Sequence, residues 1–110
     1  MKKMTQLFLI LTSLTAVSAQ AAEEKTLTLV VKDGFFTPET IEGPANAKFK
    51  LIVKNEGKTA EEFESDELHR EKVIQPGKSV TINIGPLPAG TYGFFGEFHP
   101  KTAKGSLTLK

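Results

Sequence analysis

Polar and apolar residues alternate with a period of two over much of this 110-residue chain. The alternation covers five segments, which are residues 26–31, 48–55, 79–85, 91–98 and 105–110. Successive side chains of a β-strand point to opposite faces, so each segment predicts a strand with one buried face. Short runs rich in Gly, Pro and Asn separate the segments and provide turns. The pattern predicts an all-β domain, and strands at this spacing favour a Greek-key β-sandwich.

No segment sustains a helical period, although residues 60–72, AEEFESDELHREK, come closest to one. The first half of this stretch predicts a strand that leads into an irregular loop or a single helical turn. In that strand Phe63 should face the core, with Glu61 on the same side and Glu62 and Glu64 on the opposite face. Taken alone, three glutamates in four residues are often only a solvated sheet edge.

The first 21 residues predict a secretory signal peptide. Two lysines precede an apolar stretch from Leu7 to Val17, and a small-residue pattern at residues 19–21 precedes a charged segment. Thr and Ser interrupt the apolar stretch, which is shorter than the ~20 residues of a membrane span. We expect cleavage after Ala21 and a single mature domain of residues 22–110 in the periplasm, with no membrane insertion of the mature chain.

Charge and cysteine content exclude several classes of function. Two of the 14 basic residues precede the expected cleavage site and all 13 acidic residues follow it, so the mature chain has a formal charge of −1. This value gives no indication of a nucleic-acid partner. The absence of cysteine excludes disulfides, thiol redox chemistry, a zinc ribbon and a type 1 copper centre. There is no recognisable Ser-His-Asp arrangement, and two histidines are too few for a three-His zinc site.

Three motifs between Thr26 and Lys110 are typical of one known family. They are GFFTPETIEGPANAKFKLIVKNEG, a PG turn before a strand, and PAGTYGFFGEFHP followed by KG.L.L. On these motifs the chain resembles the cupredoxins, which implies a cupredoxin-like β-sandwich. In copper-binding members the last loop provides a Cys, a His and usually a Met, and a second His follows the turn that resembles KNEG. His99 matches the histidine of that last loop.

The other ligand positions depart from the family pattern. Gly96 stands at the cysteine position and Ala103 near the methionine position, and the run from Glu61 to Glu64 replaces the other histidine. The remaining donors are carboxylates and one imidazole, which suit ferric, ferrous or cupric ions better than cuprous ions. The resemblance thus implies a bound copper or iron ion, with metal ligands drawn from Glu61, Glu62, Glu64, Glu97 and His99.

Two expectations concern how these side chains meet. Glu97 and His99 are expected to converge on one ion, because residues two apart in an extended strand point to the same side. Only one face of the glutamate strand can reach the ligand loop, and we expect Glu62 or Glu64 to contribute in preference to Glu61.

The remaining histidine and the aromatic residues are expected to have structural roles. His69 is expected at the surface, because neighbouring Arg70 and Lys72 disfavour a cation site there. Core and rim packing is expected for Phe35, Phe36, Tyr92, Phe94 and Phe95.

In the motifs EEFES.EL..EKVI.PG and FFGEFHP.TAKG the chain is similar to small periplasmic cupredoxin-like proteins associated with bacterial high-affinity iron permeases. This resemblance implies a metal-binding accessory protein whose partner is an iron permease or a periplasmic iron-binding protein. Such a protein would pass iron on or support Fe(II) oxidation. The alternative is a metal-free β-sandwich that serves only as an interaction module in the same assembly. The two differ in whether the mature protein binds one metal ion stoichiometrically.

Overall fold

A computed structural model describes residues 24–110, so the predicted signal peptide lies outside the described residues. This part of the chain contains strands and turns and no helix, and it therefore has no helical segment that could cross a membrane. The strands are β1 (Lys25–Lys32), β2 (Phe35–Thr37), β3 (Thr40–Gly43), β4 (Phe49–Asn55), β5 (Glu61–Ser65), β6 (Arg70–Ile74), β7 (Ser79–Ile84), β8 (Gly90–Phe95) and β9 (Lys104–Leu109).

The strands form two mixed sheets that enclose one core. The first sheet has the order β2-β1-β4-β7 and the second has the order β3-β9-β8-β5-β6. The β1–β4 and β3–β9 pairs are parallel, and the other pairs are antiparallel. β2 and β3 lie in different sheets, so the chain crosses between the sheets directly after Thr37. The predicted β-sandwich is confirmed.

Inward-facing apolar side chains of both sheets form the core, and an aromatic cluster of Phe36, Phe63 and Phe94 fills the end nearest the turn after β8. The Phe94 ring centroid lies 5.1 Å from that of Phe36 and 5.1 Å from that of Phe63. The Phe36 and Phe94 rings meet edge to face, an arrangement that aromatic pairs prefer. Burial of each phenylalanine contributes about 2–3 kcal/mol of hydrophobic stabilisation. Phe35, in contrast, is 52% exposed.

The alternation does not reveal β2, β3 and β6. β2 and β3 have three and four residues, which is too short for a periodic pattern. β6 lies at a sheet edge and has one buried residue, Ile74. The predicted strand over residues 91–98 is wrong at its end, because β8 stops at Phe95 and residues 97–102 form turns. Residues 66–69 also form a turn, and no helical turn occurs there.

Two polar side chains hold the open side of the sandwich, where β6 and β7 lie at the edges of their sheets. The buried Asn55 amide donates to the Thr59 and Ile74 carbonyl oxygens at 2.8 and 2.9 Å. The Arg70 guanidinium donates to the Asn83 carbonyl of β7 at 3.1 Å and to two carbonyls of the preceding turn. Asn55 therefore holds the loop before β5 against the end of β6, and Arg70 holds the edge strand β6 against β7.

Candidate metal centre

Adjacent glutamates of β5 face opposite sides of the second sheet. Glu61 lies on the same side as Phe63, whose ring belongs to the aromatic cluster inside the sandwich. Glu61 is completely buried. Glu62 and Glu64 belong to the outer face, although Glu62 is only 3% exposed. The predicted division of the three glutamates between two faces is confirmed.

The interior side of β5 carries a close pair between Glu61 and His99. His99 lies in the turns after β8, where its N–H donates to the Gly96 carbonyl at 3.1 Å. Its Nδ1 lies 2.9 Å from Glu61 Oε2, and the imidazole side chain is 42% exposed. Within residues 24–110 no donor reaches Glu61 Oε1, which is buried. Because a buried carboxylate is costly without a partner, Glu61 depends on the His99 ring.

A glycine of the β1–β2 turn leaves room for the His99 ring. Gly34 has a φ of +81°, and a Cβ at this position would lie 2.9 Å from His99 Cγ. The Thr102 hydroxyl donates to the Gly34 carbonyl at 2.6 Å, which fastens the turn to the His99 loop. The imidazole thus packs against bare backbone on one side and contacts Glu61 at Nδ1.

A cluster of four carboxylates lies on the outer side of β5, with two from β5, one from β6 and one from the turn after β8. We call these residues the acidic tetrad, and they are Glu62, Glu64, Glu71 and Glu97. One carboxylate oxygen from each lies within 4.8 Å of those from the other three. Glu64 lies directly opposite Glu71 in the β5–β6 pair. The Glu97 backbone N–H donates to Glu62 Oε1 at 3.2 Å, which draws the turn after β8 onto β5.

The charges of the tetrad have no cationic partner in the part of the chain that the structure describes. The ion pairs found there are His99–Glu61 and Lys110–Glu42, and neither involves a tetrad residue. Desolvation raises the pKa of Glu64, and the surrounding negative charges raise it further; they belong to Glu62, Glu71, Glu97 and Asp66. Like charges that face each other across a strand pair are destabilising. The tetrad therefore favours the uptake of a cation or a proton.

The tetrad is open to solvent on the side of β6. A groove of about 450 Å³ adjoins it, bounded by Glu64, Ser65, Asp66, His69, Arg70 and Glu71. His69 is exposed at the rim of this groove, as expected, and has a positive φ of 53°. An ion can reach the carboxylates by this route without opening the core.

The predicted convergence of Glu97 and His99 on one ion is wrong. The chain turns after Gly96, so the assumption of an extended strand fails. Glu97 joins the outer carboxylates, whereas His99 turns inward to Glu61. The five predicted ligands thus fall into two groups, with Glu62, Glu64 and Glu97 in the tetrad and Glu61 and His99 in the interior pair.

Glu71 is the member of the tetrad that the sequence did not predict. Its signal lies in the hairpin between β5 and β6, because residues equally far from a turn face each other across an antiparallel pair. The turn at residues 66–69 places Glu64 opposite Glu71. The expectation of a loop after β5 hid this pairing.

The residues at the position of the family's copper do not fit a type 1 copper centre. The sequence has no cysteine to supply the thiolate. A Cβ at Gly96, the cysteine position, would lie 2.8 Å from the Glu62 carbonyl oxygen and 3.1 Å from the Ala103 Cβ. Backbone and Ala103 therefore fill the space that a thiolate side chain would need.

The chain belongs to the family of cupredoxin-like domains, whose model matches residues 5–109. It is similar to uncharacterized protein RP394 of Rickettsia prowazekii (strain Madrid E), with 46% identity over 81 residues. This match covers 74% of the present chain and 65% of that relative, so the chain spans slightly less than two thirds of the relative's length.

Two solved structures show the same fold at low sequence identity. Reduced auracyanin from Roseiflexus castenholzii has a TM-score of 0.64 and 14% identity, over 79% of this chain and 98% of that chain. The purple cupredoxin of Nitrosopumilus maritimus has a TM-score of 0.61 and 15% identity, over 76% of this chain and 99% of that chain.

Proposed function

We propose that this domain is a metal-binding accessory protein of a bacterial iron-uptake system, and that the acidic tetrad holds the ion. The observation that carries this proposal is the convergence of four carboxylates that have no cationic partner within residues 24–110. A bound cation would remove the repulsion between Glu64 and Glu71. We further propose that the mature domain acts in the periplasm beside an iron permease or a periplasmic iron-binding protein.

The nature of the donors supports iron or cupric copper as the ion. Carboxylate oxygens prefer hard or borderline ions, whereas cuprous copper prefers thiolates and thioethers. All four tetrad residues lie within the two motifs on which the resemblance to iron-permease-associated proteins rests, EEFES.EL..EKVI.PG and FFGEFHP.TAKG. Two of the four, Glu62 and Glu64, belong to the run that replaces the second histidine of copper-binding cupredoxins.

A metal-free interaction module remains the second candidate, and one observation favours it. Phe35 and Phe98 are 52% and 48% exposed and offer apolar surface to a partner.

Metal titration of the mature domain separates the two candidates. Fe(II) under argon, Fe(III) and Cu(II) would each be titrated by calorimetry into wild-type protein, Glu62→Gln and Glu97→Gln. The control is Glu67→Gln, an acid of the turn after β5 that lies outside the tetrad. We expect one ion per chain and a loss of affinity of at least about tenfold in each tetrad variant.

The copper-loaded protein should also lack the intense visible absorption of a thiolate-bound copper. Equal affinity in all four proteins would place the ion outside the tetrad. No stoichiometric binding of any of the three ions would leave the interaction module as the better account.

A further inference from the structure

Gly96 is a buried residue at the junction between β8 and β5. Its N–H donates to the Ala103 carbonyl at 2.8 Å, which closes the start of the turn toward β9. On the other side its α-carbon lies against β5, where an added Cβ would come within 2.8 Å of the Glu62 carbonyl oxygen. Real Cβ atoms essentially never approach so closely, so any larger residue at position 96 must move backbone.

This close approach places the next residue on β5. Because Glu64 pairs with Phe95, the antiparallel register brings Glu97 level with Glu62. The Glu97 N–H then reaches Glu62 Oε1 at 3.2 Å, and the Glu97 carboxylate joins the tetrad. A side chain at position 96 would separate these two residues.

β5 cannot move away to make room. It is paired with β6 along its whole length, and Phe63 is locked in the aromatic cluster. The chain after Phe95 has no strand pairing with β5 and is the part that would move. Since β5 carries Glu62 and the turn carries Glu97, such a movement would pull the tetrad apart.

We infer that Gly96 is the residue that assembles the acidic tetrad, and thereby decides that this loop serves an oxygen-preferring ion. Gly96 contacts no ion and acts by positioning Glu97. The loss of a thiolate at position 96 and the gain of a carboxylate site are then one structural change, because a side chain at this position excludes the Glu97–Glu62 contact. This inference rests on the proposed function for its metal, but the contact itself can be tested without one.

The test compares Gly96→Ala with Gly90→Ala. Gly90 lies at the other end of β8, and a Cβ there would meet nothing nearer than 3.7 Å. Calorimetry with Fe(II) under argon is expected to give an affinity for Gly96→Ala at least about tenfold below that of Gly90→Ala. An affinity for Gly96→Ala within about twofold of the control would overturn the inference.

A second readout uses the amide of Glu97 in metal-free protein. In nitrogen–proton NMR spectra, Gly96→Ala should shift this resonance and raise its hydrogen-exchange rate by about tenfold or more, whereas Gly90→Ala should leave both unchanged. If wild-type protein binds no ion, the proposed function fails while this readout still tests the positioning role. An unchanged Glu97 amide in Gly96→Ala contradicts the inference whatever the metal result.

Two further variants keep the test decisive if Gly96→Ala does not fold. The double variant Gly96→Ala/Ala103→Gly removes one of the two close contacts, with Ala103, and keeps the one with the Glu62 carbonyl. It should fold more stably than the single variant and still bind Fe(II) weakly. If neither folds, Glu62→Gln tests the contact that Gly96 is inferred to permit, because it should shift the Glu97 amide resonance in an otherwise unchanged protein. An unshifted resonance would overturn the inference.

Discussion

The two faces of β5 hold negative charge in opposite ways. On the inner face a single carboxylate, Glu61, is fully buried and contacts the His99 imidazole at 2.9 Å. On the outer face four carboxylates lie together with no cationic side chain from residues 24–110 beside them. The inner carboxylate has one partner, His99, although no donor from residues 24–110 reaches its Oε1, whereas the outer cluster is under repulsion until it takes up a cation or protons. We therefore expect the ion to bind at the outer cluster, which includes Glu62, and not at the inner pair formed by the preceding residue, Glu61.

The largest expected difference between the faces concerns removal of the inner partner. His99→Ala leaves the buried Glu61 carboxylate without a donor, and should lower the free energy of unfolding by about 2–3 kcal/mol. A fully buried pair would cost more, but the His99 side chain is 42% exposed. Urea denaturation in chelator-treated buffer measures the effect.

The control for this prediction is the same change in a Glu61→Gln background. Without the carboxylate, loss of His99 should cost at least about 1 kcal/mol less, since the buried charge is gone. Equal costs in the two backgrounds would mean that the contact between Glu61 and His99 contributes nothing to stability.

Removal of a carboxylate from the outer face should raise the free energy of unfolding, whereas removal of His99 from the inner face should lower it. In metal-free buffer, Glu71→Gln removes the carboxylate opposite Glu64 and should raise the free energy of unfolding by about 0.5 kcal/mol. Glu67→Gln, which changes an acid outside the tetrad, should have a smaller effect. A loss of stability in Glu71→Gln as large as that in His99→Ala would erase the distinction between the two faces.

A smaller effect is expected in the pH dependence of the outer face. Desolvation and neighbouring acids raise the pKa of Glu64, so the folded protein holds this proton more tightly than the unfolded chain does. The free energy of unfolding should therefore fall as the pH rises from the usual glutamate range through the raised pKa. Denaturation of metal-free wild type and Glu64→Gln across this window measures the contribution. Parallel pH profiles would show that Glu64 ionises alike in both states.

The smallest effect is expected at the exposed pair between Lys110 Nζ and Glu42 Oε1, which lie 2.8 Å apart. The hydrogen bond and charge of Lys110 lower the pKa of Glu42, so any stabilisation is present above the usual glutamate range and is lost as the pH falls through the lowered pKa. Water and salt screen such a pair. Glu42→Gln should thus change stability least of these variants, and its effect should vanish in high salt. A persistent effect in high salt would contradict this view.

The long strands could be predicted from the sequence because one face of each is buried. The alternation locates β1, β4, β7 and β9 to within a residue at each end. β6 could not be found in this way, since the residues before Ile74 are all exposed at a sheet edge. Because β6 was not predicted, Glu71 was not predicted either, since its place in the tetrad depends on the β5–β6 register.

The candidate site could be predicted only in part. The identities of Glu62, Glu64 and Glu97 came from motifs, and the opposite orientation of Glu61 followed from strand geometry. Glu97 and His99 are separated by the turn that begins after Gly96. The absence of a side chain at Gly96 lets its backbone contact the backbone of β5. A pattern of residue types along the chain does not report such a contact between strands.

The Arg70 guanidinium has a consequence for how this domain behaves among other copies of itself. A sandwich with open edges offers unpaired backbone groups to any passing strand, and such pairing is a route to aggregation. Arg70 lies on the outermost strand of one sheet and occupies a carbonyl on the outermost strand of the other. It thereby covers the seam between them with a permanent charge. A chain without disulfides gains from this protection, which no metal is needed to maintain.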